Sequence, residues 1–246
     1  MAKRLRIRDK LLLAAAISGD LFFEFVQPLS FQLKKMKGIL PPDYKLTNFT
    51  LAVSRMLKTG YLEKVIKNGE PYLRLTGVGK NALVRDFPIF SARRKKWDGK
   101  WRIVYYDIPE KDKNIRKQLR EKLWELGFGM IQKSVYISPF DVAEDLREFL
   151  IAQGLGDSVF VSVAKGLFVG DVKILAEKVW RLERLNEEYF KLYQKLKKGG
   201  NFREIFLEYE DILRRDPCLP SELLPDDWLG DKVYLEIKNF LKKSKI

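Results

Sequence analysis

The sequence predicts an α+β chain of three successive units, and three observations carry that prediction. Charge is segregated: of 14 net positive charges, 13 fall in the first 96 residues, which hold 20 Lys/Arg against 7 Asp/Glu. The remainder is near neutral, with 12 of each sign over 97–175 and 15 against 14 over 176–246. Hydrophobic periodicity changes at about the same places, from helices closed by a hairpin, to alternating strands and helices, to helices alone. The predicted units are 1–90, 97–170 and 171–246, with 91–96 a basic linker. A basic block on a neutral body suggests a polyanion-binding module attached to something else.

At 246 residues and 46% apolar, the chain is long enough to bury proper cores. Its N-terminal apolar run, Leu11 to Ile17, falls far short of the roughly 20 residues of a membrane span, and no signal-peptide cleavage pattern follows it. The expectation is a soluble cytoplasmic protein without a membrane partner. A single cysteine, Cys218, excludes an internal disulfide and any multi-cysteine zinc site. The absence of histidine rules out Ser-His and Cys-His catalysis and leaves carboxylate or metal-carboxylate chemistry as the ordinary enzymatic routes. No Gly-rich loop marks a nucleotide or coenzyme site, so no cofactor is expected.

In the basic unit, Ile7 to Ser18 reads as a short apolar helix stopped by Gly19-Asp20, and Leu29 to Met36 is a second apolar-periodic stretch. From Thr47 to Thr59, Phe49, Ala52, Val53, Met56 and Leu57 share one helical face. Thr47, Asn48, Ser54, Arg55 and Lys58 lie on the other. Gly60 supplies a stop, Tyr61 to Ile66 reads as a strand, Asn68-Gly69 is a hairpin signal, and Tyr72 to Leu75 returns as the second strand. Helices followed at once by a two-stranded hairpin predict a winged helix-turn-helix. In that fold the last helix enters the major groove and the hairpin touches the phosphate backbone. Thr47, Asn48, Ser54, Arg55 and Lys58 are then the base-proximal candidates, and Lys64, Lys67, Asn68 and Arg74 position the wing. The competing reading is a plain solvated helix face.

The middle unit opens with a strand, Trp101 to Pro109, followed by a charged helix whose Ile115, Leu119, Leu123 and Leu126 recur at helical spacing before Gly127. Phe128 to Ser138 is the next strand, Asp141 to Ala152 a helix, and Val159 to Ala164 and Leu167 to Val169 are short strands. Strand and helix alternation of this kind predicts a ferredoxin-like split βαβ sheet.

In the tail, Asp171 is the N-cap of a long helix in which Leu175, Val179, Leu182, Asn186, Tyr189, Tyr193 and Leu196 follow four-three spacing. That seam suits either a second copy, with Asn186 setting register, or the chain's own core. Gly199-Gly200 ends the helix, Phe202 to Leu213 is a second one, and Asp231 to Leu241 a third. The loop between carries Pro220 and Pro225, which fix the backbone, and Cys218, which reads as a small packed residue.

Particular runs carry a resemblance. Trp97-Asp98-Gly99-Lys100-Trp101-Arg102, Asp107-Ile108-Pro109-Glu110, Arg116, Leu119, Leu126-Gly127-Phe128-Gly129 and Ser134 to Pro139 closely resemble the middle domain of the PaaX-like transcriptional repressors. That domain is in turn similar to the small CRISPR-associated ferredoxin-like endonucleases. Trp180-Arg181-Leu182, Leu185, Tyr189, Asp216-Pro217, Leu219-Pro220, Glu222 to Pro225, Trp228 and Gly230 look like the family's C-terminal signature. The resemblance implies a helical C-terminal domain and a homodimeric repressor of double-stranded DNA, displaced by a small-molecule effector of the acyl-thioester type.

Asp107 carries the sharpest alternative. In the CRISPR-associated relatives an aspartate at the matching position, paired with its copy across a dimer, is thought to hold a divalent metal for phosphodiester cleavage. The plainer reading is a strand-terminal Asp whose side chain caps the following turn, in a protein that is not an enzyme. A third class, an adaptor docking a protein partner through its middle unit and tail, ranks last.

Overall fold

The computed structural model describes residues 8, 12, 22–23, 46–67, 70–86, 96–165, 167 and 170–243. They divide into two compact units, one drawn from Met1–Ser91, Leu185–Asp216 and Asp227–Ile246, the other from Ala92–Arg184 and Pro217–Asp226. Among the described residues no helix is long and apolar enough to cross a membrane.

In the first unit, helix α1 (Leu46–Lys58) buries Phe49, Val53 and Met56, the period expected of an amphipathic helix. Gly60 ends it at φ 72°: its N–H donates to Leu57 and that of Tyr61 to Met56, the paired bonds that close a helix through a left-handed residue. Strands β2 (Leu62–Lys67) and β3 (Glu70–Leu75) pair antiparallel from Leu62↔Leu75 to Lys67↔Glu70. Two elements were not foreseen. Strand β1 (Phe22–Phe23) pairs with β3, giving the order β1-β3-β2, and helix α2 (Gly77–Asp86) follows. The Thr76 hydroxyl accepts from Gly79 N at 3.1 Å to start α2. Of the predicted helix over Ile7 to Ser18, Arg8 and Leu12 are helical and the rest lies outside the described residues. The Leu29 to Met36 stretch, the Asn68-Gly69 turn and 91–95 of the linker also lie outside them.

The second unit holds strands β4 (Lys100–Tyr106), β5 (Gly129–Gln132), β6 (Val135–Ser138) and β7 (Val159–Lys165) with helices α3 (Lys113–Glu125) and α4 (Ala143–Ala152). The sheet runs β5-β6-β4-β7 with every neighbour antiparallel, the ferredoxin-like order. Val104, Tyr106, Leu119, Leu123, Leu146 and Leu150 form its core. Three strand expectations are corrected. The strand foreseen over Phe128 to Ser138 is a hairpin, because Ser134 turns the chain at φ 66°. The strand foreseen as far as Pro109 stops at Tyr106. Leu167 is not in a strand, and 168–169 lie outside the described residues.

The long helix foreseen from Asp171 is two, α5 (Val172–Trp180) and α6 (Leu182–Lys197), broken where Arg181 takes φ 54°. Asp171 caps α5 as expected, accepting from Lys173 N at 2.7 Å and Ile174 N at 3.0 Å. Glu177 caps α6 by accepting from Glu183 N at 2.7 Å. In the first unit α6, α7 (Phe202–Arg215) and α8 (Gly230–Lys243) bury Leu185, Tyr189, Phe206, Tyr209, Val233 and Ile237. The Tyr189 hydroxyl donates to Asp216 at 2.6 Å, and Arg215 pairs with Glu188. Asn186 sets no coiled-coil register: its amide donates to Asp227 O and accepts from Leu229 N, fastening the loop before α8. Cys218 is buried, as expected of a small packed residue.

Candidate nucleic-acid interface

Helix α1 turns its apolar side inward, so its opposite side is left to solvent. Thr47, Asn48, Ser54, Arg55 and Lys58 are all exposed there. Together with Leu51 they form a stripe at three- and four-residue spacing along one side of the helix. Leu51 stands in the middle of that stripe, 50% exposed. Sequence reasoning passed over it because an apolar residue is first assigned to the core; its spacing from Asn48 and Arg55 was the available signal. The first turn of α1 holds no acid, and among the described residues neither Arg55 nor Lys58 makes an ion pair.

The hairpin residues separate. Lys64 is exposed on β2, and Lys67 ends that strand. Arg74, expected to position the wing, instead pairs with Glu63 across the hairpin at 2.5 Å, which cancels much of its charge locally. Asn68 lies outside the described residues.

In the second unit Asp107 is exposed just past the end of β4, and its N–H donates to Ser158 O at 2.9 Å. Its carboxylate accepts no hydrogen bond among the described residues, so it does not cap the turn as expected. Among the described residues no three Cys, Asp or Glu gather as a metal site.

The motif residues of this unit have structural work instead. The buried Arg102 guanidinium binds Asp98 through both nitrogens at 2.9 and 2.8 Å, and reaches Asp141 at 2.9 Å. The same arginine donates to Pro139 O, joining the start of β4 to the end of β6. Its hydrogen bond holds the Asp98 carboxyl below the usual carboxylate range, and Asp98 in turn raises Arg102. Trp101 packs between Trp97, at 5.0 Å, and Trp180 of α5, stacked at 6.4 Å. Gly129 leaves room for Val179 and Trp180: a Cβ there would lie 2.1 Å from Val179 Cγ1. Beside the core, Arg120 donates to the Tyr106 hydroxyl at 3.3 Å. Burial pushes the neighbouring Tyr136 up to about 12, whereas for Tyr106 burial is outweighed by the Arg120 bond and charge and the net shift is downward.

Residues 94–175 match the PaaX protein central Cas2-like domain, and residues 202–244 match the PaaX-like protein C-terminal domain. The chain belongs to the PaaX-like family. A PaaX-like relative, the Transcriptional repressor PaaX of Escherichia coli (strain K12), is 25% identical over 202 residues, 73% of this chain. The match spans 63% of that repressor's length. An uncharacterized protein, Rv0674 from Mycobacterium tuberculosis, shares the fold with a TM-score of 0.61 at 20% identity, over 96% of this chain and 94% of its own. The central PaaX-like match begins just before the Trp97 to Arg102 run and ends inside α5, so it contains the Asp98, Arg102 and Asp141 cluster whole, and Trp97 and Trp101 without Trp180.

Proposed function

We propose that this PaaX-like protein is a regulator of transcription that binds specific double-stranded DNA, acts as a homodimeric repressor, and is released by a small-molecule effector of the acyl-thioester class. The observation that carries the reading is the exposed stripe of α1: Asn48, Ser54, Arg55 and Lys58 around Leu51, uncompensated by acids, in the most basic part of the chain. A repressor among its relatives supports it. Under this reading α1 is the recognition helix of a winged helix-turn-helix and β2 and β3 are its wing. Arg55 and Asn48 have the side chains that pair with guanine and adenine edges, and Leu51 has the apolar surface that suits a thymine methyl. Lys64 and Lys67 supply phosphate contacts that hold register without reading sequence. The protein carries out no chemistry on the DNA.

The test is capture of genomic fragments by the purified protein at moderate salt, followed by sequencing. Enrichment of one or a few palindromic sites, lost with Arg55→Ala at fixed salt by about 1–3 kcal/mol, supports the reading. Uniform retention that vanishes with added salt counts against it. Acyl-thioesters added to the captured complex test release, and Mg²⁺ added to wild type and Asp107→Ala tests for cleavage, of which none is expected.

A further inference from the structure

The β2–β3 hairpin leaves the core as it runs outward. Its register puts Leu62, Lys64 and Ile66 of β2 on one face together with Leu75 and Leu73 of β3. Leu62, Leu73 and Leu75 are buried, and β2 lies against α1. Farther out the same face is open: Lys64 is exposed, and Ile66 is 81% exposed. Ile66 stands four residues beyond Leu62, roughly 13 Å along the strand. On the opposite face Glu63 and Arg74 neutralise each other, whereas Lys64 makes no ion pair among the described residues.

Single apolar residues are common on protein surfaces. Ile66 differs in degree and in place. It is the most exposed large apolar residue among those described, and it shares its face with a free cation in the most basic part of the chain. Strand preference does not account for it, since threonine suits a strand as well and exposes less apolar surface. With α1 in the major groove, the reading on which this inference rests, the hairpin beside it meets the bordering phosphates and the adjacent minor groove. That groove is about 6 Å wide, too narrow for a pair of strands ~4.8 Å apart with their side chains, so what enters it is a side chain carried by the hairpin.

We propose that Ile66 enters the minor groove beside the α1 site as an apolar wedge and selects A·T pairs there, with Lys64 on the bordering phosphates. The selection follows from the chemistry of the groove floor. Every base pair presents acceptors there, and only G·C adds a donor, the N2 amino group of guanine. A side chain without an acceptor leaves that amino group dehydrated and unpartnered, which costs affinity at G·C and not at A·T. Steps such as TA also open readily under an inserted apolar side chain. Ile66 thus extends sequence reading beyond the pairs that Asn48, Leu51 and Arg55 face.

Binding isotherms of the full chain at fixed salt, on a site recovered by genomic capture, test the proposal. Pairs flanking the α1 contacts are changed one at a time from A·T to G·C and to inosine·cytosine, which lacks the N2 amino group and so has the minor groove of A·T. Wild type is expected to bind about fivefold or more weakly when G·C lies under the hairpin, and to bind inosine·cytosine there like A·T. Ile66→Ala and Ile66→Thr, the second keeping a branched Cβ, are expected to lose that discrimination while folding normally by circular dichroism. Ile66 variants that discriminate like wild type overturn the proposal, and the DNA-binding reading stands if Arg55→Ala still loses the site. Weakening that is equal on all three flanks also overturns it, and with a loss of self-association in sedimentation it assigns Ile66 to a protein contact. If no site is enriched by capture, or Arg55→Ala leaves affinity unchanged, the reading of α1 fails and the proposal with it.

Discussion

Asp98 and Arg102 form a two-pronged ion pair in which Nη1 and Nη2 meet the two carboxylate oxygens at 2.9 and 2.8 Å. The guanidinium is buried while both of its carboxylates, Asp98 and Asp141, stay in reach of water. Asp98→Asn leaves the buried cation with Asp141 as its charged partner, and is expected to cost about 1–3 kcal/mol at neutral pH. The pH dependence has a definite sign. The Asp98 carboxyl titrates below its ordinary value of 3.8, so its contribution is present above that value and is lost as pH falls through the lower folded one. Urea titrations below about pH 5 should show the wild type losing stability more steeply than Asp98→Asn.

Gly129 makes a sharper steric prediction. A methyl group there would sit 2.1 Å from Val179 Cγ1 and 2.8 Å from Trp180 Cε2, so Gly129→Ala must push α5 off the sheet. The expected loss is about 1–3 kcal/mol, read as a lowered Tm. Gly156→Ala is the control, since nothing lies within 4 Å of its added carbon.

Asn186 is expected to be irreplaceable by alanine for a different reason. Its side chain bonds the loop before α8 at two points, 3.3 Å to Asp227 O and 2.8 Å from Leu229 N. Asn186→Ala leaves the part-buried Leu229 N–H unmet and should cost about 1–3 kcal/mol. Hydrogen exchange should quicken at Leu229 while amides in the β4 strand are unchanged.

Under the proposed DNA-binding reading, Leu51 and Lys64 should fail in different ways. Leu51→Ala is expected to cost about 1 kcal/mol at sites with thymine under it and little elsewhere. Lys64→Ala should weaken every sequence alike and lower the salt slope by about one. Binding isotherms on a small panel of sites at two salt concentrations separate the two.

Much of the fold was legible because it is written in local period. Phe49, Val53 and Met56 mark the inner face of α1 and Gly60 its end; Asp171 announces the start of α5. The breaks escaped notice because left-handed residues are usually glycine, and here Ser134 and Arg181 take that conformation. A two-residue strand such as β1 has no period at all. Within the candidate site the outward stripe of α1 was readable by elimination, except for Leu51. That Arg74 is committed to Glu63 was not, because the partner lies across a hairpin and shares no helical face with it.

The sequence by itself determined the α+β class, the basic first unit, the ferredoxin-like middle and the family resemblance. All four rest on composition, spacing or short motifs, which a chain carries with it before it folds. Only the tertiary structure decided that Asn186 fastens a loop, that the Asp107 carboxylate accepts no hydrogen bond among the described residues, and that Arg102 ties two strands together. Each of these depends on which distant residues share a surface, and burial and hydrogen-bond satisfaction are settled between residues far apart in sequence.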